Sequence, residues 1–259
     1  MLYNTGMIEL IHGDCLEEMK KIPDGSVDLV LTDPPYGTTA CKWDTVIPFE
    51  PLWAQYKRMI KDNGAIVLFG SEPFSSLLRC SNIKNYKYDW VWDKKHGANF
   101  AQANKRPLKN IENVMVFYDK PCFYNPQKIQ NPKGEEKRSK YPPSLQKECF
   151  VGQVAMNADF AHFGSKYESD KLLPKSILVF SRDSKPVHPT QKPVALMEYL
   201  IKTYTNEGET VLDNCMGSGT VGVACKNLNR KFIGIEKDET YFKIAQDRIA
   251  GEYDKFDAR

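Results

Sequence analysis

The chain has 259 residues, 41% hydrophobic and 12% aromatic, enough for one large domain or a domain carrying an insertion. It holds no apolar run of the roughly 18 residues that cross a membrane and no basic-then-apolar leader, so no membrane partner and a cytoplasmic location are expected. Net charge is +3, but residues 94–109 alone carry +5 and residues 122–185 carry +4, leaving −6 on the rest; a basic middle on an acidic frame points to a polyanionic partner.

In chain order, residues 7–12 read as a short strand ending in Gly13-Asp14, and residues 15–22 as a helix closed by Pro23-Asp24-Gly25. Val27, Leu29, Val30 and Leu31 mark residues 27–31 as a buried strand that delivers Asp33. Residues 49–60 form a helix with Leu52, Trp53, Tyr56, Met59 and Ile60 on one side. A strand at 65–69, a helix from residue 73 and strands at 86–92 and 114–118 follow. Strand and helix alternate through the first 120 residues, the pattern of a doubly wound, mostly parallel α/β sheet. Right-handed crossovers then bring Asp14, Asp33 and Phe69 to one edge. From residue 122 to 185 periodicity is weak, and prolines, aromatics and charges predominate; this is a loop-rich insertion with one clear strand at 177–180. Regular structure returns after His188-Pro189-Thr190: a helix, a strand at 210–213, a tight glycine turn, a helix at 221–228, a strand at 231–236 and a closing helix.

Two stretches carry chemistry. In Thr32-Asp33-Pro34-Pro35-Tyr36-Gly37 two prolines stiffen the chain at a strand's end and remove two N–H donors. A carboxylate, a free carbonyl and an aromatic ring result. Asp33 and the Pro34 carbonyl suit the two hydrogens of an NH2 group, and Tyr36 suits the face of a planar ligand. The second stretch, Gly217, Gly219 and Gly222, fits G-x-G-x-x-G between a strand and a helix, and Glu236 is placed for a pair of ribose hydroxyls. Alone this reads as NAD binding. Asp213, where the turn begins, suits a cationic group instead, and no second mononucleotide half follows; an adenosine cofactor without phosphates fits better. The seven cysteines form no C-x-x-C pair and are odd in number, which argues against a disulfide framework and a metal site.

The Asp33–Tyr36 tetrad resembles the Asp-Pro-Pro-Tyr signature of the amino-group DNA methyltransferases. The order of parts is similar to their circularly permuted beta group: tetrad first, then insertion, then His188 to Pro193, then Asp213 to Thr220. The resemblance covers residues 7–121 and 186–259. It implies a Rossmann-like methyltransferase sheet with a catalytic half (1–121), a target-recognition insertion (122–185) and a cofactor half (186–259). It implies S-adenosylmethionine as cofactor, double-stranded DNA as substrate and methylation of adenine N6. Carried over, Asp33, Pro34, Pro35 and Tyr36 are catalytic. Asp213, Gly217, Gly219 and Glu236 form the cofactor motif. Thr190, Lys192 and Pro193 cover the methionine end, Asp14 lies near the adenine of the cofactor, and Phe69 packs against it.

Such an enzyme flips its target base out of the duplex to reach it. Lys94, Lys95, Lys105, Arg106 and Lys109 are candidates to hold backbone phosphates. C5-cytosine chemistry would use a Pro-Cys nucleophile and a Glu-Asn-Val clamp; Pro121-Cys122 and Glu112-Asn113-Val114 occur in the wrong order, and residues 112–118 read as a strand. N4-cytosine transfer stays open, though that subgroup usually has Ser in place of Asp33. Two readings from other classes also stay open: a catalytically silent DNA-binding regulator and an NAD oxidoreductase. So do two further partners, a second copy of the chain as a homodimer and a cognate restriction endonuclease acting separately.

Overall fold

Strands that are apolar at every position must be covered on both faces. In the computed structural model, which describes residues 2–38, 44–98, 100–130, 171–183 and 191–252, they are. The elements of the main body run β1 (Leu2–Asn4), β2 (Ile8–His12), α1 (Cys15–Met19), β3 (Val27–Thr32), α2 (Phe49–Met59), β4 (Ile60–Gly70), α3 (Phe74–Ser81), β5 (Tyr86–Ala98) and β6 (Lys109–Phe117). After the short strands β7 (Ile129–Gln130) and β8 (Lys171–Leu172) come β9 (Ile177–Val179), α4 (Val194–Tyr204), β10 (Thr210–Asp213), α5 (Thr220–Asn227), β11 (Lys231–Glu236) and α6 (Glu239–Ala250).

Nine strands form one sheet in the order β1-β2-β11-β10-β3-β4-β6-β5-β9. The five from β2 to β4 are mutually parallel. Side chains alternate between the faces, as period-2 geometry requires. Leu29, Leu31, Val67 and Phe69 meet Leu196, Leu200, Val221 and Phe242 of α4, α5 and α6 on one face. Val30, Ile66 and Leu68 meet Met19, Leu52, Tyr56 and Leu78 of α1, α2 and α3 on the other. The helix after β10 therefore covers one face and the helix after β3 the other. The strand order reverses between these two neighbours, which makes their C-terminal ends the place where an open α/β sheet leaves a crevice. Asp213 ends β10 and Asp33 follows β3.

Two departures from the expected pattern matter. The strands at 86–92 and 114–118 are longer than their apolar runs and form an antiparallel hairpin, β5–β6, with β6 antiparallel to β4. The stretch from residue 99 to 108 is too short to hold a crossover helix, so parallel pairing is closed to it. β5 thus runs in the same sense as β4. Its end, the hairpin tip and the start of β6 all lie at the edge where Asp33 and Asp213 emerge. Second, β9 belongs to this sheet, paired with β5, while Pro126–Pro174 forms a compact unit of its own that holds the β7–β8 ribbon. Among the described residues no helix is long and apolar enough to cross a membrane.

Candidate active site

The turn after β3 is held from outside the tetrad. Asp44, 8% exposed, accepts from the backbone N–H of Tyr36 at 2.7 Å, of Gly37 at 2.8 Å and of Thr38 at 2.9 Å. One carboxylate fixes three successive amides, while the prolines before them offer none. Phe74 stacks on the Tyr36 ring, with centroids 5.0 Å apart and planes at 24°. The tetrad therefore presents a preset carboxylate, carbonyl and ring.

Asp33 stands in a line of buried charges. Its Oδ1 accepts from the Tyr36 hydroxyl and its Oδ2 from the Lys192 ammonium. Lys192 also lies 3.3 Å from Glu112 Oε2, and Lys94 donates to Glu112 Oε1. The line crosses the sheet edge from β3 over β4, where Lys192 Nζ sits 5.3 Å from the Phe69 ring centroid, to β6. Burial pushes the Asp33 carboxyl above its ordinary value; the Lys192 ammonium opposes that and the Glu112 charge adds to it. Burial also disfavours charge on Lys192, yet the two carboxylates beside it hold its ammonium above the usual range. Burial and the Asp33 charge keep the Tyr36 hydroxyl protonated. Glu112 stays ionised, because Lys192 and Lys94 outweigh its burial.

The other half of the site is the glycine turn. Gly217 and Gly219 have φ of +50° and +76°, and a Cβ on Gly219 would stand 2.9 Å from that of Ala245. Only glycine meets both demands, a left-handed backbone and contact with α6. The Gly217 N–H donates to Glu236 Oε2 and the Asp238 N–H to Oε1, each at 2.8 Å. Each oxygen keeps acceptor capacity for an incoming hydroxyl. Asp213, 3% exposed, accepts from the Cys215 N–H at 3.1 Å, and burial pushes its carboxyl up to about 7. Asp14 caps α1 through the Leu16 N–H at 3.0 Å and pairs with Lys237 at 3.2 Å.

A cavity of about 630 Å³ joins the halves, within the range of small-molecule sites. Asp14, Asp33, Pro34, Pro35, Tyr36, Lys192, Asp213, Gly217 and Glu236 all line it. Three expected residues stand behind the wall. Phe69 is fully buried beneath Lys192, Gly219 packs on α6, and Pro193 is the extended residue that precedes and caps α4. Thr190 lies outside the described residues. Of the expected phosphate contacts, Lys95, Lys105, Arg106 and Lys109 are exposed on the β5–β6 hairpin. Lys94 is not: it is 4% exposed and engaged with Glu112. Its alternate-residue spacing from Trp90 and Trp92, both in the core, turns it inward.

Sequence reasoning missed Asp44 and the role of Glu112. Asp44 is a loop residue with no pattern around it. Glu112 did carry a signal: it shares a face with Val114 and Val116, so an acid stands on the inward side of a buried strand.

The sheet order, with the tetrad and the glycine turn facing one cavity where that order reverses, is the arrangement of a methyltransferase. Comparison with known proteins agrees. A family model described as DNA methylase, the N6/N4 methyltransferase type, matches residues 27–247, and the chain belongs to this family. It is 30% identical to the DNA adenine methyltransferase YhdJ of Escherichia coli (strain K12), covering 93% of this chain and 82% of YhdJ. It is 28% identical to the Type II methyltransferase M.HpaI of Haemophilus parainfluenzae, covering 96% of this chain and 76% of that protein. The crystal structure of the M1.HpyAVI–SAM complex superposes with a TM-score of 0.61 at 30% identity, covering 93% of this chain and all (100%) of the other.

Proposed function

We propose that this chain transfers a methyl group from S-adenosylmethionine to N6 of adenine in duplex DNA. One observation carries the reading: Asp33 and Tyr36 share a single cavity with Asp213 and Glu236, at the point where the strand order reverses. Adenine rather than cytosine is supported by Asp33 at the head of the tetrad and by a 30% identical relative described as an adenine methyltransferase.

The cofactor fits the residues present. Asp213 offers a buried carboxylate to its ammonium group, and Glu236 offers spare lone pairs to its ribose hydroxyls. When bound it supplies an electrophilic methyl on a sulfonium, which an amine lone pair takes in line. The chain's task is to make that lone pair available. An adenine amine is flattened by delocalisation into the ring and is a poor nucleophile. Asp33 and the Pro34 carbonyl accept its two hydrogens and favour the pyramidal form, in a geometry set beforehand by Asp44. Tyr36, backed by Phe74, holds the flipped base by its face. The nitrogen becomes acidic as its new bond forms, and the raised pKa of Asp33 suits it to take the proton.

Lys95, Lys105, Arg106 and Lys109 project from the same edge of the sheet and are assigned to backbone phosphates. Residues 122–185, with the compact unit Pro126–Pro174 inside them, are assigned to target recognition. A cytoplasmic location, pairing of two copies and a separately acting endonuclease belong to the same reading, the last supported by similarity to a Type II methyltransferase. The test is to sequence DNA from cells expressing the wild type or Asp33→Ala, with a readout of methylated bases. N6-methyladenine in one sequence context, absent from the variant, is expected. Methylcytosine, or identical DNA from both, would refute the proposal.

A further inference from the structure

The mechanism above leaves three buried charges unused, Lys192, Glu112 and Lys94. It also leaves Asp33 with a difficulty: beside the Tyr36 hydroxyl on Oδ1, its Oδ2 is bonded to a full positive charge, the Lys192 ammonium. A carboxylate bonded to an ammonium is a weaker acceptor than one that is not, and the target amine needs a strong one.

We infer that Glu112 is a positioning residue that takes Lys192 over from Asp33 as the target amine arrives, with Lys94 holding Glu112 in place for the exchange. Lys192 has a second seat ready. Glu112 Oε2 lies 3.3 Å from its Nζ, close enough for an ion pair and longer than a charge-assisted hydrogen bond, which leaves room to shorten. The other oxygen, Oε1, is taken by Lys94, whose side chain is 5% exposed and packs over the Trp92 ring at 5.2 Å. Glu112 is itself 13% exposed, so it cannot swing away to water. Lys192, at 6%, is confined between the two carboxylates. Asp33 keeps 24% exposure and faces the cavity. The exchange therefore needs a shift of Nζ of well under one side-chain length and no backbone movement. The fold supplies the geometry. The reversed strand β6 brings Glu112 to the catalytic edge, and Trp92, its register partner on β5, sets Lys94 beside it.

Buried ion pairs often add little stability over apolar residues of the same size. Four alternating charges at the reacting edge are better accounted for by function. The charge on Glu112 keeps Lys192 from binding Asp33 alone. The charge on Lys94 keeps Glu112 from capturing Lys192 outright.

This rests on the proposed function, so the test starts from wild-type methyl transfer to an adenine duplex, measured in a single turnover across pH. Glu112→Gln keeps shape and removes charge. Lys192 then stays on Asp33, and the neighbour that raised the Asp33 pKa is gone. The rate is expected to fall on the order of 10–100-fold. Its acidic limb, which reports ionisation of Asp33 beside Tyr36, Lys192 and Glu112, is expected to move to lower pH. Lys94→Met is expected to move that limb the opposite way, because Glu112 then draws Lys192 from Asp33. S-adenosylmethionine affinity, read by calorimetry, stays within about twofold and shows that both variants are folded. A purely structural role lowers the active fraction without moving the limb. Unshifted limbs in folded variants of an active enzyme overturn the assignment alone. A wild type inactive on every adenine duplex overturns the proposed function and this assignment with it.

Discussion

Asp213 offers a quantitative test of the cofactor site. Its carboxyl is 3% exposed and burial pushes its pKa up to about 7, against an ordinary value of 3.8. If the ionised form receives the ammonium of S-adenosylmethionine, binding must compete with protons below pH 7. At pH 6 about one-tenth of the free protein is ionised at this position and at pH 8 about nine-tenths, so affinity should weaken about tenfold from pH 8 to pH 6. Stability of the free protein should move the other way. The folded pKa lies above the unfolded one, so the folded state binds more protons, and lowering the pH from 8 to 6 should stabilise it by about 1.4 kcal/mol. The assays are calorimetric titration of S-adenosylmethionine and denaturant unfolding at pH 6, 7 and 8. Asp213→Asn, which keeps an oxygen for the Cys215 N–H, should bind weakly and abolish both dependences. Affinity that stays constant between pH 6 and 8 in the wild type, or a dependence that survives in Asp213→Asn, would rule out Asp213 as the partner of the ammonium.

Asp33→Ala should lower methyl transfer by at least 10²–10³-fold on the scale of a lost preorganised acceptor while S-adenosylmethionine affinity stays near normal; Glu236→Ala should weaken cofactor binding first, both read by calorimetry beside methyl incorporation. Binding to duplex DNA should fall linearly in log salt, and changing Lys105 and Arg106 to Ala should reduce the slope by about 1.8, roughly 0.9 per phosphate, on all sequences alike. Lys94→Met should leave that slope unchanged, since its ammonium is on Glu112, and a reduced slope would return Lys94 to the DNA surface. Exchanging residues 122–185 for those of a relative should move the methylated sequence, read by sequencing, and an unmoved site would place recognition elsewhere.

The legible parts of the site are those written as contiguous strings. Asp33 to Tyr36 sit on one turn, and Asp213, Gly217 and Glu236 are joined by one strand, one turn and one helix, so local geometry alone brings them together. The line of charges is different. Lys94, Glu112 and Lys192 are far apart in the chain and meet only because β6 is reversed and lies beside β4. Apolar runs look the same in parallel and antiparallel strands, and that reversal was hidden in them. Its trace was the missing crossover helix between β5 and β6. Charge runs misled in the same place: Lys94 and Lys95 are neighbours in sequence, but strand alternation turns Lys94 inward to Glu112, while Lys95, at φ +65°, breaks that alternation and is exposed. Asp44 organises the tetrad through backbone amides, a contact that no side-chain pattern announces.

In the proposed function the Asp33 carboxylate acts on an adenine amine. The most direct test is to incubate the purified protein with S-adenosylmethionine labelled in its methyl group and an equal mixture of duplexes covering all short sequence contexts, then digest the DNA to nucleosides and weigh them. Label is expected in N6-methyldeoxyadenosine alone and is lost in Asp33→Ala. Label in N4-methyldeoxycytidine, or undiminished label in adenine from the variant, would contradict that proposal.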